Sequence, residues 1–157
     1  MNIREAKIED WKEVSVLMGM LQDLHAEQYP MIFKKAVRRD KTYFEKTLKN
    51  PKKKIFIADD NGKIVGYVKG KILIEEESDI RFGRIFGYID SIYVLESYRG
   101  LLIDQKLFAR LFRWMRENGV TYAEGGVWEF NSSARAVFEQ MGSKTYQRKQ
   151  IIFIDIY

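Results

Sequence analysis

The chain contains no cysteine and a single histidine among its 157 residues. The absence of cysteine excludes disulfides, thiolate metal sites and cysteine nucleophiles. With His25 as the one histidine, centres that bind a metal through several histidines are excluded too, and we expect no metal. Any chemistry must therefore use carboxylates, hydroxyl groups, backbone dipoles or a cofactor.

Long apolar runs are also missing. The uncharged stretches are far shorter than a membrane span, and Arg4 and Glu5 stand where a signal peptide would have its apolar core. We expect a cytoplasmic protein with no membrane contact.

Basic residues outnumber acidic ones by 27 to 22, which gives a net charge of +5. This charge is dispersed along the chain, and no nucleic-acid recognition motif accompanies it. Nucleic acid is therefore an unlikely partner. Solvated faces, or a site for an anionic cofactor, account for the charge.

Apolar residues make up 46% of the chain and charged residues 31%, an ordinary globular balance. No repeat or low-complexity linker divides it, so we expect one domain over residues 1–157.

Apolar periodicity and turn residues predict the order β-α-α-β-β-β-α-β-α-β. Asp10 is the expected N-cap of the first helix, and an Asn61-Gly62 turn is expected to join two strands as a hairpin. The predicted strands lie near residues 3–6 and at 55–58, 64–74, 85–94, 122–128 and 146–154, and the later helices at 42–49, 104–118 and 131–141. This order favours an α/β fold with a central mixed, mostly antiparallel twisted sheet and helices on both faces.

The most informative segment spans residues 88–104. A β-branched strand ends at Val94, an Arg99-Gly100 loop follows, and an amphipathic helix begins near Asp104. A strand, a loop and a helix start in this order bring free backbone N–H groups and a helix dipole together, which is one way proteins bind phosphate. The segment resembles the cofactor-binding motif Arg/Gln-x-x-Gly-x-Gly/Ala of the GNAT superfamily of N-acetyltransferases, with Arg99 at its first position.

A second segment, residues 127–142, is similar to the pattern that follows the next strand in this family. Asn131, Ala134, Glu139, Met141 and Gly142 match its spacing. Read without the family, Asn131 or Ser132 caps a helix and Gly142 ends it. The predicted element order is also the family's order, so the resemblance covers almost the whole chain.

The resemblance implies acetyl-CoA as co-substrate. The backbone from Ile92 to Val94 would pair with the pantetheine arm, the amides from Arg99 to Asp104 would hold the pyrophosphate, and Asn131 would contact the CoA arm. The implied cofactor-binding residues are Ile92, Tyr93, Val94, Arg99, Gly100, Leu101, Leu102, Ile103, Asp104, Asn131 and Phe138.

Three of these positions depart from the family pattern. Leu102 and Asp104 stand where two glycines are usual, and glycine allows positive φ and close approach to pyrophosphate. Asp104 also repels phosphate, although it is a good N-cap residue. Phe138 replaces a tyrosine that usually protonates the departing thiolate, which leaves Tyr98 and Tyr146 as candidate donors.

Only a neutral amine attacks a thioester, so a group must accept the proton of the acceptor ammonium. Asp90, which interrupts an apolar strand, is the first candidate, and an outward-facing polar residue is its alternative interpretation. Glu129 is the second candidate. His25 titrates near neutrality but favours a structural role.

The resulting hypothesis is an N-acetyltransferase that moves an acetyl group from acetyl-CoA to a primary amine of a small molecule or peptide by direct attack. The alternative is a non-catalytic binding module of the same fold with a weakened CoA site. Because dimers are common in the resembling family, a homodimer is possible.

Overall fold

The computed structural model describes residues 1–36, 39–152 and 154. Contacts within the chain group it into two compact units, Met1–Gly126 and Val127–Tyr157. The first unit contains β1 (Asn2–Glu5), α1 (Trp11–Gln28), α2 (Lys41–Lys49), β2 (Lys53–Asp60), β3 (Lys63–Glu75), β4 (Arg84–Val94), α3 (Ile103–Glu117) and β5 (Ala123–Gly125), and the second contains α4 (Ser132–Gln140).

The strands of the first unit form one sheet in the order β1-β2-β3-β4-β5. The first four strands are antiparallel to their neighbours, and β5 runs parallel to β4. Asp60 pairs with Lys63, which leaves Asn61 and Gly62 as a two-residue turn with φ of 53° and 90°. Positive φ at both positions is the geometry that the Asn-Gly pair favours in hairpins.

Helices α1 and α2 cover one face of the sheet. Val14, Leu17 and Phe44 from these helices form a buried cluster with Ile57 and Tyr67. Side chains alternate between the faces of a strand, so Gly70, three residues beyond Tyr67, points to the opposite face. There a Cβ on Gly70 would lie 2.8 Å from the Leu111 side chain of α3. The predicted mixed sheet with helices on both faces is therefore confirmed.

Several predicted boundaries need correction. The expected strand over residues 122–128 is only Ala123–Gly125, and the long helix begins at Ile103, one residue before Asp104. The last strand, expected over residues 146–154, is absent from residues 146–152, and residue 153 lies outside the described residues. Isoleucine-rich sequence favours a strand, but a strand forms only where a partner strand supplies hydrogen bonds. In the described ranges, none of the helices has the length and apolar character that crossing a membrane requires.

Candidate functional site

The loop after β4 is fixed by backbone hydrogen bonds. The Leu95 N–H donates to the Val65 carbonyl at 2.8 Å, which holds the end of β4 against β3. A short 3₁₀ helix, Glu96–Tyr98, follows, and the Arg99 N–H donates to the Glu96 carbonyl at 3.1 Å. The chain therefore leaves the sheet in a defined direction before α3 begins.

Two residues of this loop have left-handed backbone conformations. Gly100 has φ of 80°, and Leu102, at the N-cap position of α3, has φ of 57° and ψ of 26°. A leucine rarely adopts this conformation, because its Cβ approaches the carbonyl oxygen at a cost of roughly 1–2 kcal/mol. The predicted steric handicap of Leu102 therefore appears as backbone strain, while its side chain is exposed.

The strained loop presents a row of backbone donors. From Gly100 to Asp104, no backbone N–H has an acceptor among the described residues, and the helical ladder of α3 opens with the bond from Lys106 N–H to the Leu102 carbonyl. The first N–H groups of a helix have no partner within the helix and lie at the positive end of its dipole. This arrangement of donors can bind an anion such as a phosphate group.

Charges of both signs flank these donors. Arg99 is exposed, and no acidic group in the described part of the chain forms an ion pair with it. Asp104 is not the N-cap that it was expected to be. It lies in the first turn of α3, and its Oδ1 accepts a hydrogen bond from the Gln105 N–H at 2.9 Å. Its carboxylate thus competes with an incoming anion for the same helix end.

Beside the loop, one edge of β4 is open in the described part of the first unit. Strand β5 pairs only with Gly87 to Ile89, whereas β3 pairs with β4 as far as Val94. The edge of β4 from Ile92 to Val94 that faces away from β3 therefore has no strand partner in this unit. Free backbone groups on such an edge can pair with an extended ligand.

A β-bulge in β4 places Asp90. Lys69 pairs with Ser91 and Gly70 pairs with Ile89, so Asp90 is the extra residue with no partner on β3. Bulges redirect side chains and are common near functional sites. The Asp90 carboxylate is only 17% exposed and lies 2.8 Å from Lys71 Nζ and 3.6 Å from Lys69 Nζ. Asp90 is therefore half-buried in an ion-paired setting and is not a simple outward-facing residue.

Aromatic rings and a further cation surround this ion pair. Lys69 Nζ donates to the Tyr43 hydroxyl at 3.0 Å, Arg39 lies 4.9 Å from the centre of the Tyr43 ring, and Lys71 Nζ lies 4.9 Å from the centre of the Tyr88 ring. We call this group the β3–β4 polar cluster. Its members are Arg39, Tyr43, Lys69, Lys71, Tyr88 and Asp90.

The cluster changes the acidity of Tyr43. Burial raises the pKa of its hydroxyl, but the hydrogen bond from Lys69 and the charges of Lys69 and Arg39 lower it, and the net pKa lies below its usual value. A phenol with a lowered pKa gives up its proton more readily.

Sequence reasoning identified Asp90 but missed the other members of the cluster. The available signal was Lys69 and Lys71, two lysines with a spacing of two residues inside an otherwise apolar strand. That spacing puts both side chains on one face of the sheet.

In the second unit, Asn131, one of the two predicted candidates, caps α4: its Oδ1 accepts a hydrogen bond from the Ala134 N–H at 3.0 Å. Glu129 is largely exposed and accepts a hydrogen bond from Arg135 at 2.9 Å. Phe138 lies within α4 and is half-buried, and Tyr146 is exposed.

Two other residues considered from sequence lie in the first unit. The Tyr98 hydroxyl donates to Asp60 at 3.2 Å, and burial together with this carboxylate raises its pKa, so Tyr98 retains its proton more strongly. Burial lowers the pKa of His25, which stacks on Phe33 at the end of α1. Both contacts favour structural roles.

Taken together, a strand with an open edge, a left-handed loop and a helix N-terminus with free donors are typical of an α/β domain that binds a phosphate-containing ligand. A sequence model of the acetyltransferase (GNAT) family matches residues 18–143. The chain belongs to this family.

Solved structures support the same fold. The mutant F44R of the BH1408 protein from Bacillus halodurans is 22% identical, with 98% of this chain and 99% of that chain covered and a TM-score of 0.92. The aminoglycoside N-acetyltransferase AAC(6')-Iy in complex with CoA is 17% identical, with coverage of 97% and 98% and a TM-score of 0.75. The aminoglycoside 6'-N-acetyltransferase AAC(6')-IG from Acinetobacter haemolyticus is 14% identical, with coverage of 98% and 97% and a TM-score of 0.74.

Proposed function

We propose that the protein is an acetyltransferase that moves an acetyl group from acetyl-CoA to a primary amine of a small molecule or peptide. The observation that carries the proposal is the row of N–H groups from Gly100 to Asp104, which have no acceptor in the described part of the chain and are held by left-handed residues at the N-terminus of α3. Leu102 adopts a strained conformation there. Strain of this kind persists where the surrounding structure requires it and is common at functional sites.

Different protein groups suit different parts of acetyl-CoA. The free N–H groups of the loop suit the pyrophosphate, with Arg99 as a nearby cation. The open edge of β4 from Ile92 to Val94 suits the amide groups of the pantetheine arm. In the second unit, Asn131 is the family's candidate for a further contact to the CoA arm. Bound there, acetyl-CoA would supply an acetyl thioester, which is an activated acyl donor.

The reaction needs a proton acceptor and a group that stabilises developing charge. The amine nitrogen forms a bond to the carbonyl carbon, the carbon–sulfur bond breaks, and the ammonium proton passes to a base. Asp90 is our proposed acceptor of that proton, either directly or through water, with Glu129 as second candidate. A backbone N–H on the open edge of β4 can stabilise the oxyanion that develops on the carbonyl oxygen.

The departing sulfur has no acid at position 138, because phenylalanine carries no exchangeable side-chain proton. A thiol has an unperturbed pKa of about 8.5, so a thiolate is a tolerable leaving group. The raised pKa of Tyr98 makes it a weak donor, and Tyr146 is the remaining tyrosine proposed from sequence.

The acceptor is an amine, and aminoglycosides are one class to test because two structural neighbours are named as aminoglycoside acetyltransferases. A non-catalytic CoA-binding module is the second candidate function, favoured by Phe138, Leu102 and Asp104. We also propose a single functional domain over residues 1–157, a cytoplasmic location and the capacity to form a homodimer.

The proposal is tested by titrating acetyl-CoA into labelled protein and following backbone amides by NMR. We expect the first shifts at residues 92–104. Shifts confined to other segments would contradict the site. The chain has no cysteine, so a thiol reagent then reports CoA release alone, and an amine panel separates enzyme from binding module.

Substituting Asp90→Asn should lower kcat by about a hundredfold or more, because an amide cannot accept the ammonium proton. Acetyl-CoA affinity should stay within about twofold, and the pH–rate profile should lose its acidic limb. Asp79→Asn, which removes a carboxylate from the exposed β3–β4 loop, is the matched control. An unchanged pH–rate profile would transfer the role to Glu129 or water.

A further inference from the structure

The β3–β4 polar cluster contains two lysines in an unusual place. The side chains of Lys69 and Lys71 are 15% and 29% exposed, in the middle of a sheet strand. Lysines are almost never buried unless a negative charge compensates them, because the ammonium loses hydration. Both lysines are half-buried, so a negatively charged partner close by stabilises them.

The described residues supply less negative charge than these cations require. Asp90 is the one carboxylate that pairs with either lysine, and both share it at 2.8 and 3.6 Å. Arg39, which is exposed, adds a third positive charge beside the Tyr43 ring. Three cations and one carboxylate leave the cluster with a net charge of +2.

Acidic groups nearby are already engaged. Glu124, on the strand beside Tyr88, and Glu75 at the end of β3 both pair with Arg84. Asp40, next to Arg39, accepts a hydrogen bond from the Tyr43 N–H at 2.7 Å and so caps α2. Among the described residues, none of these three carboxylates forms an ion pair with Lys69, Lys71 or Arg39.

The lysines also retain free hydrogen-bond donors. An ammonium has three N–H donors; Lys69 donates one to the Tyr43 hydroxyl, and Lys71 forms an ion pair with Asp90 at 2.8 Å. Ser91, the partner of Lys69 across the sheet, immediately precedes the open edge from Ile92 to Val94. An anion bound to these donors would thus lie next to the strand where acetyl transfer is proposed.

We propose that the acceptor amine carries an anionic group, a carboxylate or a phosphate, which binds to Lys69 and Lys71 with Arg39 nearby. This inference rests on the proposed acetyltransferase function, whose substrate class it narrows. The anion supplies the charge that the cluster lacks, while Asp90 remains beside the reacting amine. A polycationic amine, by contrast, meets like charges at the same place.

Matched pairs of acceptors test the inference. Each pair shares one amine and differs in the anion: alanine against alaninamide for a carboxylate, and phosphoethanolamine against ethanolamine for a phosphate, with kanamycin as a polycation. We expect kcat/KM, measured by CoA release, to be at least tenfold higher for the anionic member of one pair. In Lys71→Gln and Lys69→Gln, the ratio of kcat/KM between the anionic amine and the other member of its pair should fall about tenfold, mainly because the KM of the anionic amine rises.

Lys49→Gln is the control, because it removes one exposed lysine charge at the end of α2, away from the cluster. It should keep the wild-type preference, and all three variants should bind acetyl-CoA as the wild type does in calorimetry. Preference for alaninamide, ethanolamine or kanamycin, or a preference that survives in both cluster variants, would overturn the inference.

Binding of the anionic amine provides a second test of the inference that does not depend on turnover. With CoA present, NMR titration of phosphoethanolamine and alanine should shift the amides of Lys69, Lys71 and Ser91, and Lys71→Gln should weaken that binding at least fivefold. Absence of shifts there would also overturn the inference. Failure of acetyl-CoA to bind residues 92–104 is a separate result, which contradicts the proposed function instead.

Discussion

Leu102 is the residue where the chain departs most clearly from ordinary backbone preference. Among the described residues, the non-glycine positions with positive φ are Asn61, in the hairpin turn, and Leu102. Asparagine tolerates this conformation, whereas leucine does not. The loop therefore keeps Leu102 in a backbone conformation that a leucine side chain disfavours.

Leu102→Gly should stabilise the protein. Removing the left-handed strain gains roughly 1–2 kcal/mol, and the greater freedom of glycine in the unfolded chain costs about 0.5–1 kcal/mol. Leu101→Gly is the matched control, since Leu101 is 56% exposed against 55% for Leu102 but lacks positive φ. Urea unfolding should therefore rank Leu102→Gly above Leu101→Gly by about 1–2 kcal/mol. Equal stabilities of the two variants would contradict the backbone strain at Leu102.

Asp104 places a carboxylate at the helix end proposed to bind pyrophosphate. Asp104→Asn should tighten acetyl-CoA binding by roughly tenfold if about 1.4 kcal/mol of repulsion is relieved. The gain should shrink at high salt. Glu117→Gln, which removes the same charge from the last turn of α3, should leave the affinity unchanged. Weaker binding in Asp104→Asn would mean that the carboxylate supports the loop that holds the ligand.

At the scale of elements, an ion-pair network joins the first strand to the first long helix. Arg4 of β1 donates two hydrogen bonds to the Asp10 carboxylate, at 2.8 and 2.9 Å, and one to Asp59 of β2. Asp10 lies at the N-cap position of α1, as predicted, but its side chain accepts from the Lys7 N–H at 2.7 Å and makes no capping hydrogen bond to that helix. The expected N-cap residue thus serves to attach β1 to the entry of α1.

Asp10→Asn should destabilise the fold by about 1–3 kcal/mol, because Arg4 loses one of its two carboxylate partners, the more buried one. Burial raises the pKa of Asp10, but the hydrogen bonds from Arg4 and Lys7 outweigh it, so the folded-state pKa lies below the usual 3.8. Its contribution is therefore complete above that value and is lost as the pH falls through the folded-state pKa. The free energy of unfolding should be measured for variant and wild type at pH 7 and pH 3. The difference between the two proteins should be smaller at pH 3. A difference in the free energy of unfolding that does not change with pH would contradict the ion pair between Arg4 and Asp10.

Helix α3 lies close to the sheet because glycines face it. A Cβ on Gly70 would meet Leu111 at 2.8 Å, and one on Gly87 would overlap the Met115 sulfur. Burial of Leu107, Phe108 and Leu111 anchors the rest of the helix. This close packing holds the N-terminus of α3, with its free donors, next to the end of β4.

For the whole molecule, binding of acetyl-CoA should appear as thermal stabilisation. A ligand at about 100 times its Kd stabilises the folded state by about 2.7 kcal/mol, which for a chain of this size raises Tm by about 5–10 °C. CoA should act similarly because it carries the same pyrophosphate. Adenosine, which lacks it, is the control and should shift Tm little. Equal shifts with adenosine would argue against the loop from Gly100 to Asp104 as the site.

The sequence alone determined the element order as far as α4, the hairpin at Asn61-Gly62 and the family, because these depend on local patterns: apolar periodicity, turn residues and short motifs. It also limited the cap of α4 to Asn131 or Ser132, of which the structure shows Asn131, since an N-cap bonds to an N–H only three residues away. Its errors were local too. Isoleucines near the C-terminus suggested a strand, and the carboxylate at Asp104 suggested a cap.

Only the tertiary structure decided what the site contains. The bulge at Asp90 depends on the register between two strands, and the polar cluster joins Tyr43 of α2 to Lys69 of β3 and Tyr88 of β4. The left-handed Leu102 likewise reflects the placement of α3 on the sheet, against local preference. Contacts between residues distant in sequence leave no periodic pattern, so packing alone brought these groups together.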